Sequence, residues 1–116
     1  TFMSNITFNH SFFSYPQSLK DLVSDGRIDF GVWYLMNDDE TVRRFRGLQK
    51  RYPGRRLYPF ARRDDNDDIA CFEDVDSTLV HIIHDFADSG WEQREVLPNI
   101  DAWLEYIEEC NLQDGR

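Results

Sequence analysis

An α+β domain, with helices packed on one largely antiparallel sheet, is what this sequence predicts. Three observations carry that expectation. Apolar residues recur with helical spacing in three separate segments and form strand-like runs between them, in the order α-β-α-β-β-β-α. The last strand segments follow one another across short polar turns, as in a hairpin or meander. A chain of 116 residues suits a single domain, 1–116, whose core is large enough to need neither disulfide nor metal.

Residues 1–15 lack a clear period and predict an irregular start. In "SYPQSLKDLVSDG" Pro16 suits an early helical position, Leu19, Leu22 and Val23 form a stripe, and Gly26 can stop the helix. "IDFGVWYLM" predicts a strand buried on both faces, because the run does not alternate. "NDDETVRRFRGLQKRYPG" carries the strongest helix signal. Asn37 or Asp38 can cap it, Glu40 stands where a capping-box partner would, and Val42, Phe45, Leu48 and Tyr52 make its apolar face. Pro53-Gly54 ends it, and Arg43, Arg44, Arg46, Lys50 and Arg51 are expected on its solvated side. "RRLYPFA" predicts a short strand whose proline marks an edge or an exit. "DDNDD" is a turn by composition, since short polar side chains bond to their own backbone. "DIACFED" and "STLVHIIHDF" are two further strands. "ADSGWEQREVLP" is a loop with a short strand near Val96. "NIDAWLEYIEEC" closes the chain as a helix capped by Asn99, with Ile100, Trp103, Leu104 and Ile107 on one face.

Composition narrows the functions. The longest apolar run, residues 30–36, is far short of the roughly 20 residues a membrane helix needs. No basic, apolar leader opens the sequence, and a cytoplasmic location is expected. Cys71 and Cys110 stand outside any metal spacing; a disulfide stays open, although two sparse thiols in apolar patterns fit reduced core residues better. The net charge of −9 argues against nucleic-acid binding. That charge is unevenly spread: residues 1–40 carry −4, residues 41–63 carry +9 and residues 64–116 carry −14.

An EF-hand starting at Asp64 would use Asp64, Asn66 and Asp68, but Ile69 stands where glycine is required and Val75 where glutamate is required. His81 and His84, three apart on a strand, point to opposite faces and cannot chelate one ion together. Cys71 could pair with His81 or His84 across neighbouring strands, yet a thiol in an apolar strand is usually inert. No nucleophile elbow, phosphate loop or Walker pattern occurs. The expectation is a non-enzyme without metal or cofactor. Asp64, Asp65, Asp67, Asp68, Asp74 and Asp76, joined by Asp85, Asp88 and Glu92 of the following loop, can form one negative face. Trp91 can serve as its aromatic anchor.

"LYPFARRDDNDDIACFE", "VHIIHDFADSGWEQRE" and "IDAWLEYIEE", in that order and spacing over residues 33–109, resemble bacterial members of the SUKH superfamily. That group includes yeast cell-wall-synthesis regulators and many bacterial immunity proteins. Residues 1–23 match the superfamily's opening helix only loosely. The resemblance implies a SUKH-like α+β domain without catalysis, and an immunity role against a toxin, often a nuclease with a basic site. A cytosolic scaffold or regulatory domain that binds a peptide or host protein is the alternative. A small metal-dependent hydrolase built on the turn at residues 64–68 is a third. The expected partner is a protein, with no nucleic acid and no membrane, and the chain itself a monomer or weak homodimer.

Overall fold

The computed structural model describes residues 5–73 and 76–113, the side chains of residues 76 and 77 excepted. A two-stranded ribbon, β1 (Asn9–His10) and β2 (Phe13–Ser14), leads into α1 (Gln17–Ser24), β3 (Trp33–Leu35) and α2 (Asp38–Arg51). Then come β4 (Leu57–Arg63), β5 (Asp68–Glu73), β6 (Asp76–His84), β7 (Gln93–Leu97) and α3 (Ile100–Gln113). Strands β3 to β7 form one sheet in sequence order, and every neighbouring pair is antiparallel. The α+β class expected from the sequence is the observed one.

The sheet is covered on both faces, which explains why its strands read as apolar runs. Ile69 and Cys71 face Leu48 of α2 and Tyr52 at its C-cap in one core cluster. Their neighbours Ala70 and Phe72 face Trp103 and Ile107 of α3 and Leu19 and Leu22 of α1 in the other. Alternation along β5 thus sends successive side chains into two different cores.

Local signals explain most boundaries. The Asn37 side chain accepts the Glu40 backbone N–H at 2.8 Å and caps α2. Only half of a capping box forms, because the Glu40 carboxylate turns to the Tyr34 hydroxyl at 3.2 Å and to Arg62 at 3.3 Å. Asn99 caps α3 through the Ala102 N–H at 2.8 Å. The polar turn after β4 closes as composition suggested, with the Asn66 side chain accepting the Asp68 N–H at 2.8 Å.

Two elements differ from expectation. The strand expected over residues 28–36 shrinks to Trp33–Leu35 and lies at the sheet edge. Gly31, at φ +99°, turns the chain so that the Phe30 N–H meets the Trp33 carbonyl at 2.9 Å and Asp29 bridges back to Tyr34. A side chain at Gly31 would also strike the Asn111 amide, only 2.5 Å from a built Cβ. Pro59, expected at an edge or an exit, lies inside β4 at an edge position. β3 pairs only with residues 61–63, so the outer edge of β4 is open beside Pro59, where a missing N–H does no harm. There the buried Tyr15 hydroxyl donates to the Pro59 carbonyl at 2.7 Å. A register shift between Pro59 and Ala61 follows, and it sends Tyr58, Phe60 and Ala61 into the same core. Residues 9–14, read as part of an irregular start, form the ribbon that carries Tyr15 to this edge.

Tyr15→Phe is expected to lower the folding free energy by about 1 to 2 kcal/mol, since it strands a buried carbonyl. Urea denaturation would read the loss; an unshifted midpoint would mean that water serves Pro59 equally well.

Candidate functional site

Two turns meet at one end of the sheet. Asp68 opens β5 directly opposite His84, the last residue of β6. The Asp85 N–H donates to the Asp67 carbonyl at 3.1 Å, which joins the acidic turn to the β6–β7 loop. Asp64, Asp65, Asp67, Asp88 and Trp91 are exposed there. Arg63 grips Asp65 with two bonds, at 2.8 and 2.9 Å. Asp76 begins β6 at the opposite end, a strand length of roughly 20 Å away by the usual rise per residue. Its side chain, like Asp74, lies outside the described residues. The negative face expected from residues 64–92 is therefore divided between two ends of the sheet.

Three of the expected surface acids are buried. Asp68 is 5% exposed and accepts from Arg94 Nε at 2.7 Å, with His84 Nδ1 at 3.1 Å. Glu92 is 7% exposed and accepts from Arg55 Nη1 at 2.8 Å and from the Gly90 N–H at 2.7 Å. Asp85 is fully buried, bonded at 2.7 Å to Arg44 and through two 2.7 Å bonds to Arg51. These carboxylates hold the loop in place rather than facing solvent.

The arginines come from the basic block, and Arg44 and Arg51, expected on the solvated side of α2, turn inward instead. Arg44, Arg51 and, just beyond α2, Arg55 reach across to Asp85, Glu73 and Glu92, three cations against three anions. Arg43, Arg46 and Lys50 do lie exposed. Much of the charge asymmetry along the sequence is thus folded into ion pairs.

The β6–β7 loop is pinned from several sides. The Tyr52 hydroxyl donates to the Ala87 carbonyl at 2.7 Å, and the Phe86 N–H to Asp85 Oδ1 at 2.8 Å. Phe86 takes φ +69°, an uncommon angle for a bulky residue, with its ring 4.0 Å from the Arg51 guanidinium. Yet Phe86 is 59% exposed and Trp91 81% exposed. The loop is a tethered scaffold that holds two large aromatic side chains out in solvent. Trp91 was legible as a loop aromatic among charges. Phe86 was not, although an isolated Phe between Asp85 and Ala87 was the available signal.

The remaining chemistry is restrained. Cys71 and Cys110 are free thiols, which closes the disulfide question. Burial pushes the Cys71 thiol well above its ordinary pKa, with the Asp85 charge adding to the effect. His81 shares the α2 face with its cross-strand partner Cys71, while His84 turns to Asp68 on the other. Among the described residues no three His, Cys, Asp or Glu side chains are grouped to hold a metal ion. No helix among them is long and apolar enough to cross a membrane.

Arg55 sets an acid limit on stability. Its hydrogen bond holds the Glu73 carboxyl below the ordinary 4.5. Burial pushes Glu92 upward, but Arg55 and the backbone N–H groups outweigh it and the net shift is also downward. With folded values lowered, the unfolded chain takes up protons first. The contribution of this cluster is full above about pH 4.5 and is lost as pH falls through the folded values. The stability gap between the parent and Arg55→Met should therefore narrow as pH falls below about 4.5. A gap constant over that range would place the Arg55 contribution in packing.

Compared with known proteins, the chain matches no family model, no curated protein and no solved structure.

Proposed function

We propose that this chain is a non-catalytic protein-binding module that docks a basic protein through the sheet end carrying Trp91. The observation that supports it most is the 81% exposure of Trp91 on a loop fixed by buried ion pairs. A large aromatic held out in solvent by a rigid support binds with little ordering cost, because the loop is already shaped. Phe86 widens the apolar centre. Asp64, Asp65, Asp67 and Asp88 supply a polar, negative rim that accelerates encounter with a basic surface.

The SUKH resemblance supplies the biological setting: an immunity-like protein whose partner is a toxin, with a nuclease the leading class. Carboxylates offered to a nuclease would compete with phosphate for the same basic site. The module acts as a monomer. Its free edge strand, β7, carries Arg94 and Glu95 and is followed by Pro98, features that discourage strand-to-strand pairing between copies.

Co-expression with the product of the adjacent gene tests this reading. Growth protection and a stable one-to-one complex are expected, and neither appearing would remove the immunity role. Lysine at positions 64, 65 and 67 together should slow association at least about tenfold at low salt and leave the fold intact. An unchanged rate would put the interface elsewhere.

A further inference from the structure

Away from this loop, the N-terminal ribbon, α1 and the start of β4 enclose an open depression of about 680 Å³. Phe12, Phe13, Tyr15 and Tyr58 form its aromatic wall, and His10 and Lys20 are among its polar lining. The size falls within the range of small-molecule sites, about 300 to 1,000 Å³.

The wall is fixed before any ligand arrives. Phe13 stacks on Tyr58 with centroids 4.2 Å apart and planes 9° apart. Phe12 stacks on Phe45 at 4.1 Å and 4°, and Tyr15 meets Phe13 edge-on at 4.9 Å. The Tyr15 hydroxyl is committed to Pro59, so this ring cannot turn away. Flat apolar groups find a ready complement in such a wall.

Lys20 decides the charge of the ligand. It is half-buried at the depression and has no side-chain hydrogen bond or ion pair among the described residues. Asp38, beside His10, is already held by the Thr7 N–H and hydroxyl at 2.9 and 3.0 Å, and stands 3.6 Å from His10 Nε2. A half-buried lysine without a counter-ion leaves its ammonium free to pair with an anion in the depression.

We propose that this depression binds a small planar carboxylate, its ring against the aromatic wall and its carboxylate on Lys20. The site shares no lining residue with the Trp91 loop, so it stands or falls independently of the docking function.

The test is calorimetric titration of the full chain with 2-naphthoate and, in parallel, with neutral 2-naphthalenemethanol. Saturable one-to-one binding of the acid is expected with a dissociation constant of about 1 mM or below. The alcohol should bind about tenfold more weakly. Lys20→Met should bring the acid down to the level of the alcohol without changing the alcohol, and Lys20→Arg should restore it. The thermal midpoint of each variant, expected to match the parent, confirms the fold. Absence of saturable binding, equal affinity for acid and alcohol, or indifference to Lys20→Met would each overturn the proposal.

Discussion

Replacing Asp85 by alanine is expected to lower the folding free energy by about 3 to 5 kcal/mol. The carboxylate is fully buried and carries four bonds: one from Arg44, two from Arg51 and one from the Phe86 N–H. Its removal leaves Arg44, whose side chain is only 11% exposed, charged and without its counter-ion. The cost is that of a stranded buried charge, which exceeds the net contribution of the intact pair. Against a domain stability of about 5 to 15 kcal/mol, this is a large share. The triple replacement Arg44→Met, Arg51→Met, Asp85→Leu should recover most of the loss, because it removes the charges together with their partner. Urea unfolding of all three proteins checks both statements. A loss below about 1 kcal/mol for Asp85→Ala would mean that water reaches the arginines and solvates them.

Trp91→Ala is expected to do the opposite. An exposed loop side chain contributes little to folding, and the stability change should stay within about 0.5 kcal/mol. Partner affinity should fall by about 2 kcal/mol or more, a factor of about 30. The separation of the two effects follows from the loop's construction. Its backbone is held by Asp85, Glu92 and the Tyr52 hydroxyl, so losing the indole leaves the scaffold in place. Equilibrium unfolding and titration against the partner measure each effect separately. A large loss of stability would mark the indole as part of the fold instead.

What the sequence revealed depends on how far each cause lies along the chain. The caps of α2 and α3 were legible because Asn37 and Asn99 act on residues three positions away. The acidic turn was legible for the same reason, Asn66 reaching only to Asp68. The shortened β3 follows from the backbone angle at Gly31, which composition alone does not report. Pro59 was legible as an edge or exit residue, but the hydroxyl that closes its edge comes from 44 residues earlier and was not. The candidate site shows the same limit more sharply. Trp91 and the exposed aspartates could be named from local pattern. The burial of Asp68, Asp85 and Glu92 could not, since their arginines lie 26, 41 and 37 residues away. A block of positive charge facing a block of negative charge along the chain was the visible trace of that pairing.

The docking claim is tested most directly by calorimetric titration of the adjacent gene's product with three proteins: the parent, Trp91→Ala and Leu112→Ala. Leu112 is 77% exposed on α3 and serves as an aromatic-free control of similar exposure. The expected result is a one-to-one complex that Trp91→Ala weakens by about 30-fold or more and Leu112→Ala leaves unchanged. A parent that binds nothing, or a Trp91→Ala variant that binds as tightly as the parent, would contradict it.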